Sequence, residues 1–275
     1  MQNRDRMVPE REFCLDSKRD HDQAGRVPET TTCVAVITCF NEVRTIAPLV
    51  AAVSRYLSSV IVVDDGSTDG SSSLASGAGA EVVAHRRNLG KGTALKTGLS
   101  RARQRGFEWA LVLDGDGQHV PGDLPAFWRC AEQTGALLVV GNRMHNAQAI
   151  PWLRRQVNCW MSRQLSRRAG RCLPDTQCGF RLVHLETWAT LPLHTERFEI
   201  ESEMLMVFLA AGHRVEFVPI RVIGRGYRSH IRPVADSLRW WKWWRQLKRP
   251  AGACAPDDSE VRVPRPAVAH AQGSP

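Results

Sequence analysis

The chain has 275 residues, of which 43% are hydrophobic and 24% are charged, and these are ordinary values for a globular protein. They exclude a largely disordered chain and a collagen-like repeat, and no apolar run reaches the roughly 18 to 20 residues that a membrane-spanning helix needs. The N-terminal segment is charged without an apolar stretch, unlike a secretory signal. The net charge of +9 favours phosphate-bearing partners, such as nucleotides, anionic lipids or nucleic acid.

Eight cysteines are present, and no two of them form a C-x-x-C pair. Several lie inside apolar segments that have the pattern of strands or helices. In a long chain without an export signal, this pattern favours buried free thiols over disulfides or a zinc site. The sequence therefore predicts a reducing, cytoplasmic compartment.

Residues 1–30 are polar and show no hydrophobic period, so they are predicted to form a disordered tail, as are residues 251–275. Between the tails, short apolar runs alternate with segments of helical period. The predicted strands are 33–39, 59–63, 81–85, 109–113 and 137–141. The predicted helices are 42–57, a short one after the 64–70 turn, 92–105, 123–134 and 204–211. This alternation predicts one α/β domain with a mostly parallel sheet and helices on both faces.

Polar side chains follow five successive predicted strands, at the point where each strand ends. The five clusters are Asn41-Glu42, Asp64-Asp65, residues 88–92, residues 114–119 and Asn142-Arg143. Ligands of such sheets bind at the carboxyl ends of the strands. The sequence therefore predicts one binding site at this edge.

The Asp114-Gly115-Asp116 cluster can present two carboxylates to one hard divalent cation, such as Mg²⁺ or Mn²⁺. An isolated D-G-D sequence is more often a solvated Asp-Gly turn. Here the preceding buried strand and the following Gln118-His119 pair favour the metal site.

The stretch NLGKG (88–92) superficially suggests a P-loop, but a Walker A motif needs a glycine five residues before its Gly-Lys pair, where this chain has His85. The first predicted strand is followed by Phe40-Asn41-Glu42, and a dinucleotide-binding G-x-G-x-x-G is absent there. These two observations exclude ordinary P-loop kinases and nicotinamide dehydrogenases.

Nine motifs in order resemble those of family 2 glycosyltransferases with the GT-A fold, in particular the dolichyl-phosphate mannose synthases and their bacterial polyprenyl-phosphate relatives. The motifs are CFNE (39–42), VDDGSTDG (63–70), RNLGKGTALKTG (87–98), LDGDGQH (113–119), VGNR (140–143), DTQCGFR (175–181), FEIESEML (198–205), VPIRV (218–222) and SHIRPVADSLRW (229–240). Two features depart from the family pattern. Ile37 or Thr38 stands where the family has a proline, and the transmembrane tail of many relatives has no counterpart.

The resemblance implies four overlapping groups of site residues. Those implied to bind the nucleotide-sugar are Phe40, Glu42, Asp64, Asp65, Asn88, Lys91 and Asp114. Those implied to hold Mg²⁺ or Mn²⁺ are Asp114, Asp116 and Gln118. Those implied to receive the acceptor phosphate are Arg154, Arg155 and Ser229. The implied catalytic residues are Asp116, Arg143, Arg181 and Glu203. The guanidinium groups of the two arginines suit phosphate oxygens.

The implied reaction depends on the acceptor. A lipid phosphate is already anionic near neutral pH, so it attacks the anomeric carbon without a general base, and one displacement inverts that centre. A hydroxyl acceptor, on a glycolipid or a metabolite, requires a carboxylate base. Glu201 and Glu203 are the candidates for that base, and the alternative is that they lie on a solvated helix face.

A basic nucleic-acid-binding protein is the hypothesis from a different class. No stretch resembles a motif that reads DNA or RNA, and the acidic side chains at the strand ends would repel phosphates without a metal. We therefore expect a nucleotide-sugar donor and a lipid acceptor as partners, with no nucleic acid. An integral membrane partner stays open.

The basic segment 229–250, which follows the predicted catalytic domain 31–228, holds four tryptophans within residues 240–244, interleaved with cations. Indoles favour the headgroup region of a bilayer, and cations favour anionic lipids. The alternative is a helix that packs its tryptophans onto the catalytic domain. The first interpretation is favoured, and it predicts a peripheral protein at the inner face of the cytoplasmic membrane.

Overall fold

The computed structural model describes residues 32–144, 150–223 and 233–247. The two predicted tails, 1–30 and 251–275, lie outside the described residues, and so does Ser229. Within the described ranges, no helix is both long and apolar enough to span a bilayer.

The described residues form a seven-stranded sheet in the order β3-β2-β1-β4-β6-β5-β7. The strands are β1 (Cys33–Cys39), β2 (Val60–Asp64), β3 (Glu81–Ala84), β4 (Trp109–Asp114), β5 (Leu138–Asn142), β6 (Arg181–His184) and β7 (Val215–Pro219). Only β6 runs antiparallel to its neighbours, β4 and β5. The predicted mostly parallel α/β sheet is thus confirmed.

Helices connect the strands and cover the sheet. They are α1 (Ile46–Val53), α2 (Ser71–Gly77), α3 (Lys91–Gln104), α4 (Leu124–Thr134), α5 (Trp152–Ala169), α6 (Leu185–Thr190), α7 (Ile200–Ala210) and α8 (Pro233–Gln246). All seven residues of β1 are buried, although successive side chains of a strand point to opposite faces. Both faces of the sheet are therefore covered at its centre, as the run of apolar residues predicts.

The first helix is shorter than predicted, because it begins at Ile46 rather than at residue 42. The backbone just before this helix instead makes hydrogen bonds to side chains that follow β2. The N–H groups of Asn41 and Glu42 donate to the hydroxyls of Ser67 and Ser71, at 2.9 and 2.8 Å. Asn41 also adopts a left-handed φ of 55°. These bonds join the first two strand-end loops.

Helix α5 and the strands β6 and β7 are not among the predicted elements. The buried positions of α5 include Asn158, Ser162 and Ser166, so the helix has no apolar period that a sequence pattern would reveal. Strand β6 has only four residues, which is too short for a recognisable alternation.

The tryptophans of α8 do not all face away from the domain. Trp240 is only 2% exposed, and its indole N–H donates to the Ser202 hydroxyl at 2.9 Å. Its ring contacts that of Trp160 on α5, with 5.6 Å between centroids. The favoured interpretation of the cluster as a membrane contact is therefore wrong for Trp240, because this side chain fills the seam between α8 and the domain.

Candidate active site

The ends of the parallel strands and the start of the antiparallel strand β6 meet at one edge of the sheet. The residue pairs Val112–Arg181 and Val140–Arg181 place β6 between β4 and β5, so those two strands run in the same direction. The loops after β1, β2, β3, β4 and β5 and the segment before β6 therefore share this edge. The polar clusters predicted from the sequence lie here.

Asp114, at the end of β4, belongs to an ionic triad in which Glu201 is buried and Asp114 and Lys91 are half-buried. The Lys91 ammonium lies 2.6 Å from Asp114 Oδ1 and 2.5 Å from Glu201 Oε1. Burial opposes the charged form of Lys91, but the two carboxylates outweigh it and raise the pKa of Lys91. The pKa of Asp114 is lowered, since Lys91 and His119 outweigh the effect of burial. Lys91 thus connects the carboxylate of β4 with α7.

The backbone at Gly179 lies against the Asp114 carboxylate. A Cβ atom built on Gly179 would come within 2.5 Å of Asp114 Oδ2. Only glycine lets the backbone approach so closely. The glycine of the DTQCGFR motif is therefore required by its contact with Asp114.

Glu42 and Asp116 add two more carboxylates at the same edge. The pKa of Glu42 rises to about 7, because burial disfavours its charge and Asp116 and Asp114 repel it. The Asp116 Oδ1 atom accepts the backbone N–H of Gln118 at 3.0 Å. The site therefore concentrates negative charge in a way that a bound cation would relieve.

This concentration of charge makes stability depend on pH. The pKa of Glu42 in the folded protein, about 7, lies above the ordinary value of 4.5, so the folded state binds the carboxyl proton more tightly than the unfolded state does. The stability that this difference contributes is lost as Glu42 is deprotonated. In metal-free protein we expect the free energy of unfolding to fall as the pH rises from about 4.5 to about 7. Urea unfolding in EDTA across this range measures the slope, and Glu42→Gln should flatten it. The exposed Glu132→Gln variant is the control and should keep it.

Arg143, just after β5, is held by a buried carboxylate that the sequence analysis did not identify. Its Nε and Nη2 atoms donate to the two oxygens of Asp175, at 2.7 and 2.8 Å, and its backbone N–H donates to Asp175 as well. The Asp175 side chain is fully buried. Asp175 lies in the DTQCGFR motif, which was the available signal. Asp175 therefore fixes the guanidinium of Arg143.

Arg154 of α5 lies near this pair, whereas Arg181 faces inward. Burial and the neighbouring Arg143 lower the pKa of Arg154, while Asp116 favours its charge. Arg181 donates to the backbone carbonyls of Cys178, Glu201 and Thr176 at 2.6–3.2 Å. Arg143 thus follows a strand end at the site, and Arg154 lies near enough for Arg143 and Asp116 to affect its charge. Arg181 instead holds backbone segments together beneath this edge. Arg155 is half-buried on the same turn as Arg154.

A chain of side-chain hydrogen bonds connects α8 with the segment that holds Arg143. The Ser202 hydroxyl accepts from the Trp240 indole and, at 2.7 Å, from Gln177 Nε2. The backbone N–H of Gln177 donates to Asp175 Oδ1 at 3.2 Å. Trp240 and Arg143 are therefore two ends of one buried network.

Two predicted nucleotide-binding aspartates, Asp64 and Asp65, accept hydrogen bonds from the backbone of the loops that border the site. Asp65 accepts the backbone N–H groups of Leu89 and Gly90 at 2.9 and 2.8 Å, and His85 Nδ1 lies 2.8 Å from it. Asp64 accepts the N–H of Ser67 at 2.9 Å. Both aspartates shape the loops that border the site, and their contact with a nucleotide stays a prediction. Of the other predicted residues, Phe40 and Gln118 are half-buried and Asn88 is exposed.

The two candidate bases are both buried rather than on a solvated helix face. Glu203 accepts the backbone N–H groups of His194 and Thr195 at 2.9 and 2.8 Å, and the Thr195 hydroxyl at 2.6 Å. Glu201 pairs with Lys91. Glu203 therefore anchors the loop before α7, and its predicted catalytic role is untested.

Thr45 is a further site residue that the sequence analysis missed, and His119, named there only beside Gln118, is another. The Thr45 hydroxyl donates to the Gly115 carbonyl at 2.7 Å and so connects the loop after β1 to the Asp114–Asp116 turn. His119 is buried, as a packed histidine should be, and it stacks on Phe180.

The chemistry of the donor set fits Mg²⁺ or Mn²⁺. Among the described residues, no group of three or more histidine, cysteine or acidic side chains is arranged to hold a metal without other ligands. Mg²⁺ is characteristically held by one or two carboxylates and completes its shell with water and substrate phosphates. Asp114, Asp116 and Gln118 would hold such an ion, which when bound would offset the charge of a departing diphosphate.

The chain is similar in sequence to relatives of known description. The chain is 28% identical over 205 residues to the undecaprenyl-phosphate mannosyltransferase of Micrococcus luteus, covering 70% of this chain and 84% of the relative. It is 26% identical over 215 residues to the UDP-N-acetylglucosamine–dolichyl-phosphate N-acetylglucosaminyltransferase of Methanococcus voltae, covering 70% and 86%.

The fold is shared with glucosyl-3-phosphoglycerate synthase from Mycobacterium tuberculosis. The structure of that enzyme with phosphoglyceric acid superposes with a TM-score of 0.60 at 21% identity, covering 87% of this chain and 88% of the other. Its complex with Mn²⁺, UDP and phosphoglyceric acid gives a TM-score of 0.58 at 21% identity, covering 80% and 76%. The family model described as Glycosyl transferase family 2 matches residues 34–183, more than half of the chain. The chain therefore belongs to glycosyl transferase family 2.

Proposed function

We propose that this glycosyltransferase moves a sugar from a nucleotide-sugar to a polyprenyl phosphate at a membrane surface, with inversion and with a divalent cation. The observation that carries the proposal is the pairing of two charge clusters at one sheet edge. The carboxylates of Asp114 and Asp116 are close enough to Arg143 and Arg154 to influence their charge, and Glu42 is close to both carboxylates. An acidic cluster suits a cation that carries a diphosphate, and a basic cluster suits a phosphate acceptor.

The state of the two glutamates on α7 supports a phosphate acceptor over a hydroxyl acceptor. A general base needs a carboxylate that is able to take a proton from the acceptor. Glu203 already accepts three hydrogen bonds, and Glu201 is 2.5 Å from the Lys91 ammonium. A phosphate monoester brings its own negative charge and needs neither of them.

Residues of this chain have distinct tasks in the proposed reaction. Arg154 attracts the acceptor phosphate, and Arg143, fixed by Asp175, holds a phosphate oxygen in one orientation. Lys91 keeps Asp114 ionised and aligned. Such fixed charges lower the barrier because they need no rearrangement when the negative charge moves to the leaving diphosphate.

The relatives give the proposal its acceptor class. The Micrococcus luteus and Methanococcus voltae enzymes are named for undecaprenyl phosphate and dolichyl phosphate, respectively. The fold relative instead forms glucosyl-3-phosphoglycerate. Both classes of acceptor carry a phosphate, so an experiment must separate them.

A panel of GDP- and UDP-sugars, each with and without Mn²⁺, tests the donor. We expect one donor to raise the melting temperature in the presence of Mn²⁺. At a hundred-fold excess over its Kd, a donor that binds only the folded state stabilises it by about 2.7 kcal/mol. That donor is then offered with short-chain polyprenyl phosphate or with phosphoglyceric acid. We expect sugar transfer to the polyprenyl phosphate and none to phosphoglyceric acid. Transfer only to phosphoglyceric acid, or donor binding that ignores the cation, would contradict the proposal.

A further inference from the structure

Large apolar side chains lie exposed along one face of α5. The exposed fractions are 67% for Trp152, 66% for Leu153, 37% for Val157 and 46% for Trp160. At about 100° per residue, these four positions fall within an arc of about 140°. Single exposed apolar residues are common, but four on one helix face mark an interaction surface.

Helix α8 extends the same surface. A groove of about 360 Å³ separates the two helices, and it is lined by Gln156, Val157, Trp160, Met161, Ser237 and Trp240. Beside it on α8, Leu238 is 54% exposed and Trp241 is 41% exposed. Val157 and Trp160 of α5 thus line the groove, and Leu238 and Trp241 each directly follow an α8 residue that lines it.

The charges on this surface are of one sign. Helix α5 contains five arginines and no acidic residue, and Arg163 and Arg167 are exposed along the apolar face. On α8, Lys242 and Arg245 are exposed, while the acidic Asp236 is paired with Arg239. A surface of exposed tryptophan, leucine and cationic side chains matches the headgroup region of an anionic bilayer.

The position of this surface relative to the site identifies its occupant. Arg154 follows Trp152 and Leu153 directly on α5. Helix α5 is bound to the segment that holds Arg143, because its Ser162 hydroxyl lies 3.1 Å from the hydroxyl of Thr176, the neighbour of Asp175. A phosphate bound at Arg154 would lie within about one helical turn of the exposed apolar residues. We propose that the exposed face of α5 and α8 docks on an anionic lipid bilayer, so that the first turn of α5 meets the acceptor phosphate at the headgroup layer. This inference rests on the proposed function for its lipid acceptor.

The test compares full-length variants in sedimentation with vesicles of phosphatidylcholine and phosphatidylglycerol. Trp152→Ser/Leu153→Ser should weaken vesicle binding by about ten-fold or more, because it removes two large side chains from the interface. Trp241→Ser, on the other helix, should weaken binding to a smaller extent. The control Leu74→Ser removes a 42%-exposed leucine on α2 and should bind as the unchanged protein does.

Further measurements separate this inference from the proposed function. Arg163→Gln/Arg167→Gln should reduce binding at low salt and leave the salt-resistant part, since only the electrostatic attraction is lost. Metal-dependent donor binding, followed by melting temperature, should be the same in all these variants. Its absence from every variant and from the unchanged protein would count against the proposed function and leave the vesicle result standing.

Equal vesicle binding by Trp152→Ser/Leu153→Ser, Trp241→Ser and the unchanged protein would overturn the docking face. Light scattering without vesicles measures the oligomeric state, which tests whether the same face instead binds a second copy of the chain. If the unchanged protein is a dimer and the double variant a monomer, the face joins two copies of the chain and the proposal is wrong.

Discussion

Replacing Asp116 with asparagine is expected to abolish sugar transfer, with a loss in kcat/KM on the order of 10³-fold or more. The carboxylate is one of the two that would hold the cation at the end of β4. Asparagine keeps an oxygen that accepts the N–H of Gln118, a contact of 3.0 Å in the structure. We therefore expect the fold to persist, with an unchanged melting temperature in EDTA and no stabilisation by nucleotide with Mn²⁺.

Glu186→Gln is the matched control for this variant. It also removes one carboxylate charge, but from an exposed position on α6, where Glu186 pairs with Arg103. Its turnover and its response to Mn²⁺ should equal those of the unchanged protein. Mn²⁺-stimulated turnover that survives in Asp116→Asn would remove this residue from the metal site.

Replacing Arg143 with alanine is expected to lower both turnover and stability. The variant would leave the fully buried Asp175 carboxylate without its ionic partner, and breaking such a pair costs about 3–5 kcal/mol. Sequence reasoning alone predicts a loss of turnover much larger than any loss of stability, because it treats Arg143 as a phosphate ligand only. Urea unfolding and steady-state kinetics measure the two effects separately.

A double variant distinguishes the two tasks of Arg143. Arg143→Ala/Asp175→Ala removes the unpaired carboxylate, so it should recover part of the lost stability but none of the lost turnover. Arg103→Ala, which breaks the exposed pair with Glu186, should leave the free energy of unfolding nearly unchanged, because such a pair is solvated and screened. A fully stable Arg143→Ala would show that the buried pair does not hold the segment.

The sheet and its functional edge were predictable from the sequence because both follow from short-range patterns. Runs such as residues 33–39 are apolar at every position but Thr38, and a strand buried on both faces needs such a run. Each run is followed by the polar residues of its own loop. The Asp114–Asp116 turn was therefore located from local sequence, and the structure brings it beside Glu42.

The remaining features depend on contacts between distant parts of the chain. Asp175 is 32 residues from Arg143, and no local pattern indicates that its carboxylate would hold that guanidinium. Arg181 has the residue type of a phosphate ligand, but its guanidinium donates to backbone carbonyls. The tryptophans of α8 were misassigned in part, since composition does not reveal which indole meets Ser202.

The hydrogen bonds from Trp240 to Asp175 have a consequence for how the C-terminal helix is studied. Removing α8 would take away the indole that donates to Ser202 and would uncover Trp160 and Met161, so a truncated protein differs from the full chain in its interior as well as its surface. The helix and the 175–177 segment should open together as one cooperative unit in amide hydrogen exchange. Loss of activity on truncation would then reflect a disturbed active site as well as a lost surface. Substitutions of exposed residues are the better test of what the outer face of α8 binds.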